Sequence, residues 1–206
     1  MSAPFNQGAY SVSYAAVEMA KKILGSLEGR TVLLVGAGEM SELAARHLLK
    51  NGAGRIIVAN RTYARAAQVA GEIQGTPVGF EQLEEKLQEA DIVISSTGAA
   101  GYVITPSMVR TALRRRKNRL LFLIDIAVPR DVDPDTGRIE NVFLFNIDDL
   151  QGVARASAGK LEFLEADITD PGACESMVAD IDRVLHQAAL GSVPRSIAEP
   201  VGSFRA

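Results

Sequence analysis

The stretch Gly36-Ala37-Gly38-Glu39-Met40-Ser41 sets two glycines and a serine at the spacing of a phosphate-binding turn. In such a turn Gly36 takes the tight bend and Gly38 lets the backbone approach a pyrophosphate. A helix opening near Met40 then points free N–H groups and the positive end of its dipole at the anion. Ser41 stands where a third glycine is usual, and is read either as a small packing residue or as a hydroxyl that reaches a phosphate. Downstream, Asn60-Arg61-Thr62 places a guanidinium between two neutral hydrogen-bonding side chains. Its planar fork suits the extra phosphate of NADP, whereas an NAD site usually offers a carboxylate there to the ribose hydroxyls. NADPH is therefore the expected cofactor, with a surface-loop role as the alternative for Arg61. Ser96, Thr97 and Gly98 are placed beside the same ligand, Gly98 admitting the nicotinamide ribose, and Asp125 either touches ligand or caps a loop.

These residues need a scaffold that gathers them at one edge, and the hydrophobic pattern supplies it. Thr31–Val35, Arg55–Ala59, Asp91–Ser95, Leu120–Ile124 and Asn141–Phe145 are short, largely apolar runs of the kind buried on both faces of a parallel sheet. A further short strand is expected around Pro77–Phe80. Between them lie helical stretches at Met40–Asn51, Tyr63–Ile73 and Glu81–Glu89, and one opened by Thr105-Pro106. A leading helix is expected over Ser11–Leu24, with Ser11 or Ser13 as its N-cap. The alternation predicts an α/β, doubly wound parallel sheet of Rossmann type, with ligands at the carboxyl ends of the strands. The domain boundaries read as a leading helix over 1–24, an NADP-binding domain over 25–152, a linker over 153–160 and an appended segment over 161–206.

With 206 residues, 47% of them hydrophobic, and a net charge of -3, the chain reads as folded and soluble rather than as a chain-wide polyanion binder. No DNA partner is expected. The basic run Arg114-Arg115-Arg116-Lys117, flanked by Arg110 and Arg119, is either a solvated helix end or a tRNA contact. One cysteine, Cys174, and two separate histidines, His47 and His186, argue against a disulfide and a metal centre. No signal pattern or membrane-length apolar run is seen, so a cytoplasmic protein is expected.

Six ordered motifs, SVSYAAVEMAKKI at 11–23, VGAGEMSELAARHL at 35–48, ANRT at 59–62, SSTGA at 95–99, IDIAVPRDVDP at 124–134 and FNIDDL at 145–150, resemble the NADPH-binding domain of glutamyl-tRNA reductase. That resemblance implies a reaction of tetrapyrrole biosynthesis. A cysteine thiolate takes the glutamyl group from tRNA as a thioester, and hydride from NADPH releases glutamate-1-semialdehyde. In the family the cysteine sits in a domain ahead of this one, so glutamyl-tRNA is expected to meet the chain only through that missing domain. Cys174 is expected to be incidental, no catalytic residue is assigned, and the chain is expected to be inactive alone. A homo-oligomer or glutamate-1-semialdehyde aminomutase is the protein partner the resemblance implies.

The family's long dimerisation helix is expected to be absent beyond Arg155. From Leu161 to Pro200 the sequence instead resembles an internal piece of the nucleotide-sugar epimerases, with Asp167-Ile168 beside an adenine and His186–Ala189 beside the cofactor. Strands at Leu161–Glu165 and Ile181–Leu185 and a helix at Pro171–Ala179 are expected there, after a junction between Ala154 and Lys160. Two other functions stay open: a free-standing NADP-dependent dehydrogenase resembling shikimate dehydrogenase, and a non-catalytic assembly module.

Overall fold

The computed structural model describes residues 5–158, with side chains from Val12 to Val153. Strands Thr31–Gly36 (β1), Arg55–Asn60 (β2), Thr76–Gly79 (β3), Ile92–Ser96 (β4), Leu121–Asp125 (β5) and Val142–Asn146 (β6) form one sheet. All pairings are parallel and the order is β3-β2-β1-β4-β5-β6. Helices Phe5–Leu24 (α1), Glu39–Lys50 (α2), Tyr63–Ile73 (α3), Leu83–Glu89 (α4), Pro106–Arg115 (α5) and Ile147–Ala158 (α6) accompany it. The order reverses on either side of β1, the topological switch point at which an open α/β sheet forms its ligand crevice. This is the doubly wound Rossmann sheet expected from the alternation of apolar runs.

Why those runs lack polar alternation is visible in the packing. Val32 and Leu34 of β1 face one core layer, shared with α1, α2 and α3, while Leu33 and Val35 face another, shared with α4 and α5. Both sets are fully buried, so each position along the strand must be apolar.

Two local expectations are corrected. Ser11 and Ser13 do not cap the leading helix, because α1 is already helical at Phe5 and both lie inside it. Ser13 is buried, with its Oγ 3.0 Å from His47 Nδ1, tying α1 to α2. The segment 153–160, expected as a linker, is helical as far as Ala158, the last described residue. The start of α6 is locked by a reciprocal cap. Asn146 Oδ1 accepts from the amides of Asp148 (2.8 Å) and Asp149 (3.2 Å), and Asp149 Oδ2 accepts from the Asn146 amide (2.9 Å). Leu150 is then buried in the same layer as α1, with Ile147 and Val153 packed against it.

The chain divides into two units, 1–159 and 160–206. The strands and helix expected between Leu161 and Leu185, with Asp167, Ile168, Cys174 and His186, lie outside the described residues. Among those described, no helix is long and apolar enough to cross a membrane.

Candidate functional site

At the carboxyl ends of β1, β2 and β4 lies an open cleft of about 240 Å3. The turn after β1 contributes Gly36, Ala37 and Gly38, the end of β2 contributes Asn60 and Arg61, and the end of β4 contributes Ser96, Thr97 and Gly98. Sequence positions far apart are thus brought to one crevice by strand order alone.

Gly36 sits at φ +91°, and a Cβ there would collide with the Ser96 carbonyl, so both backbone conformation and space demand glycine. At Gly38 a Cβ would run into Ser96 Oγ. The glycine therefore serves the packing of β1 against β4 as well as leaving the backbone accessible. Gly38 is also the N-cap of α2, with no side-chain cap bond, so the first amides of the helix are left for a ligand. Among the described residues nothing lies within 4 Å of a Cβ built on Gly98, which lines the cleft.

Ser41 is fully buried and its Oγ donates to the Gly38 carbonyl at 2.7 Å. Its hydroxyl braces the turn, and Ser41 is not among the residues lining the cleft. Glu39, Met40 and Thr62 likewise do not line the cleft; Thr62 is the N-cap position of α3.

Of its two readings, the structure shows Asp125 capping a loop, and Asp125 is not among the residues lining the cleft. The carboxylate is 2% exposed and accepts from the amides of Ala127 (3.1 Å) and Val132 (2.9 Å), capping the loop after β5. Burial raises its pKa above the ordinary carboxylate value, against the lowering effect of those amides.

Two residues that sequence reasoning passed over shape the site. Asp131 is fully buried, and its carboxylate accepts from Ser95 Oγ (2.7 Å), the Thr97 amide (2.7 Å) and Thr97 Oγ1. It pins the end of β4, so the hydroxyl of Thr97 is committed inward although the residue lines the cleft. Arg65, in the first turn of α3 and four residues after Arg61, also lines the cleft. Its guanidinium meets Glu42 Oε1 and the Ala37 carbonyl, at 3.3 and 3.4 Å. Glu42 is half-buried beneath it, and burial raises its pKa more than Arg65 lowers it.

Arg61 is exposed and makes no hydrogen bond or ion pair among the described residues. Its loop is shaped by Asn60, whose Oδ1 accepts from the Thr62 amide at 3.0 Å. Phe80 closes the side of the cleft next to these groups, and no carboxylate is among the lining residues. The crevice therefore combines an uncapped helix start, a glycine turn and two guanidinium groups, one of them unmatched: a donor-rich surface for a polyanionic ligand with a planar part.

Residues 18–153 match the family described as Shikimate / quinate 5-dehydrogenase, and residues 140–206 match the NAD dependent epimerase/dehydratase family. The chain is 66% identical over 143 residues to the glutamyl-tRNA reductase of Syntrophus aciditrophicus (strain SB), covering 69% of this chain and 34% of that relative. It is 54% identical over 149 residues to that of Geobacter metallireducens, covering 72% and 34% respectively. The solved glutamyl-tRNA reductase from Methanopyrus kandleri superposes with a TM-score of 0.70 at 44% identity, covering 72% of this chain and 38% of that one. The chain thus spans about a third of the length of the curated relatives it matches. It belongs to the shikimate / quinate 5-dehydrogenase family and carries within it the nucleotide-binding region found in glutamyl-tRNA reductases.

Proposed function

We propose that the chain binds NADPH and serves as the hydride-donating domain of a cytoplasmic glutamyl-tRNA reductase. The observation that carries the cofactor reading is the unmatched Arg61 at the end of β2, with Arg65 four residues on and no carboxylate lining the cleft. A ribose 2′-phosphate would meet a planar fork of donors there, where a carboxylate would repel it. The uncapped amides of α2 would take the pyrophosphate across Gly36 and Gly38. The loop Ser96–Gly98, held by Asp131, would hold the nicotinamide end at the open side of the cleft.

Bound NADPH would supply hydride to a glutamyl thioester carbonyl. This chain's residues bind and orient the donor; no nucleophile is assigned among the described residues. The identity of the first relatives supports the reductase reading over a free-standing shikimate-type dehydrogenase, which shares the nucleotide-binding domain.

Fluorescence titration with NADPH and NADH tests the cofactor reading. Wild type should bind NADPH at least about tenfold more tightly, as a charge-assisted hydrogen-bond pair provides, and Arg61→Ala should bind the two alike. Equal affinities in the wild type would overturn it.

A further inference from the structure

The two guanidinium groups at the cofactor cleft differ in what holds them. Arg61 is exposed with no ion pair among the described residues, whereas Arg65, also exposed, is engaged from inside the fold. Arg65 Nη2 donates to Glu42 Oε1 at 3.3 Å and to the Ala37 carbonyl of the glycine turn at 3.4 Å, while Nη1 donates to Gln68 Oε1 at 3.0 Å. The contacts run on along the seam between α2 and α3. Gln68 Nε2 donates to Glu72 Oε1 (3.4 Å), and Arg46 Nη2 donates to Glu72 Oε2 (3.3 Å). Arg46 and Glu72 thus answer each other, and the carboxylate opposite Arg65 is Glu42.

Both Nη2 contacts are long. Hydrogen bonds between a guanidinium and a carboxylate commonly run to about 2.7–2.9 Å, so one donor shared at 3.3 and 3.4 Å is held loosely. Glu42 sits behind Arg65: its side chain is 15% exposed against 43%, and only Arg65 of the two lines the cleft. A phosphate entering beside Arg61 therefore finds its second cation already facing a carboxylate.

We propose that Glu42 is an internal competitor for the 2′-phosphate: it claims Arg65 for the fold, restrains the preference for phosphorylated dinucleotides, and releases that restraint when it is neutralised. The inference rests on the NADPH reading and makes Glu42 a positioning residue, acting through Arg65 rather than by touching ligand. A partner that only oriented Arg65 for the phosphate would hold it at the short distance, whereas the loose contact seen here is one that a stronger anion takes over.

A phosphate monoester carries about -1.5 to -2 charges at pH 7, so it outbids a single carboxylate for Arg65. Glu42 is then left half-buried near a like charge, which favours its protonated form. Burial is the largest influence on Glu42 and raises its pKa; Arg65 and Arg46 work against that rise, while Glu72 and Glu39 add to it. These are the charged groups facing it from α2 and α3. Above its pKa Glu42 is charged and competes, and below it the competition ends. The restraint is therefore strongest in neutral and alkaline solution and fades as pH falls.

The test is isothermal titration of the full chain with 2′-phospho-ADP-ribose and ADP-ribose between about pH 8 and about pH 5. At the alkaline end Glu42→Gln should bind the phosphorylated fragment about threefold or more tighter than wild type. Its affinity for ADP-ribose should be unchanged, which also reports that the variant is folded. The gap between variant and wild type should close as pH falls and the wild-type Glu42 takes up its proton. Comparing the two proteins at each pH cancels the titration of the phosphate itself. Glu72→Gln removes the same charge from α3 without touching Arg65, and should change the preference by less than about twofold. An unchanged or weaker preference in Glu42→Gln, a gap independent of pH, or an equal gain in Glu72→Gln would each overturn the inference. A preference absent in wild type but present in Glu42→Gln would break the cofactor reading and leave this one standing, and its absence in both would overturn the two together.

Discussion

The buried charges at the amino and carboxyl edges of this sheet serve different ends. At the amino edge, Asp91 and Arg116 are buried together: the guanidinium donates to Asp91 Oδ1, to the Leu87 carbonyl (3.2 Å) and to the Leu120 carbonyl (2.9 Å). Asp91 Oδ2 also accepts from the Thr31 amide at 3.1 Å. Within that network only Arg116 Nε has no hydrogen-bond partner among the described residues. At the carboxyl edge the buried acids, Asp125 and Asp131, are spent on loops, while the cations face outward. Buried polar groups at both edges are thus mostly spent on holding the scaffold, and the glycine turn with its uncapped helix start is found only beside the carboxyl-edge cleft among the described residues.

The contrast can be broken most severely at the amino edge. Arg116→Met removes the buried partner of Asp91, leaving its carboxylate the half-exposed Arg119 and the Thr31 amide, and should cost about 3 kcal/mol in chemical denaturation. The surviving folded fraction should keep its preference between the two dinucleotides. Asp131→Ala removes the acceptor for Ser95 and Thr97, so a loss of about 2–3 kcal/mol is expected. Here, unlike at Arg116, calorimetric titration should show both dinucleotides bound more weakly, because the β4 loop is part of the cleft. Gly36→Ala forces a side chain into a left-handed conformation against the Ser96 carbonyl. A cost of about 1–2 kcal/mol is expected, with weakened binding of NADPH and NADH alike and no change in their ratio.

The smallest effect concerns His47, which belongs to neither edge. Burial first, and the nearby Lys50 second, lower its pKa, so the neutral ring is the form the fold prefers. Its contribution to stability is present above the ordinary value of about 6.5 and is lost as pH falls below it. Thermal melts should show a declining Tm from about pH 7 toward about pH 5, and His47→Gln should flatten that decline. An unchanged slope in the variant would show that other groups govern acid sensitivity.

How much of this was legible in the sequence follows from the range of each interaction. The strands were readable because burial on both faces leaves an uninterrupted apolar run, and Gly36 because its conformation excludes other residues. Arg61 could be found from its place at a strand end, and Arg65 carried a readable signal too, being four residues later on a helix. Asp131 had no such signal, since Ser95 lies 36 residues away and meets it only through the pairing of β4 with β5. Asp125 stayed open between ligand contact and loop cap for the same reason: its position at a strand end is visible in sequence, but the amides that it accepts from are not. The helix within 153–160 was not legible because that stretch is small and polar without apolar periodicity, while the Asn146–Asp149 cap that starts α6 lies upstream of it. Arg116 was hidden within a run of cations of which it alone is buried.

The central claim, that Arg61 receives a 2′-phosphate, is tested most directly by isothermal titration with 2′-phospho-ADP-ribose and ADP-ribose, which differ only in that group. The wild-type chain should prefer the phosphorylated fragment by about tenfold or more, and Arg61→Ala should bind both fragments with the affinity that the wild type shows for ADP-ribose. Equal binding of the two fragments by the wild type, or a preference that survives in Arg61→Ala, would contradict the claim.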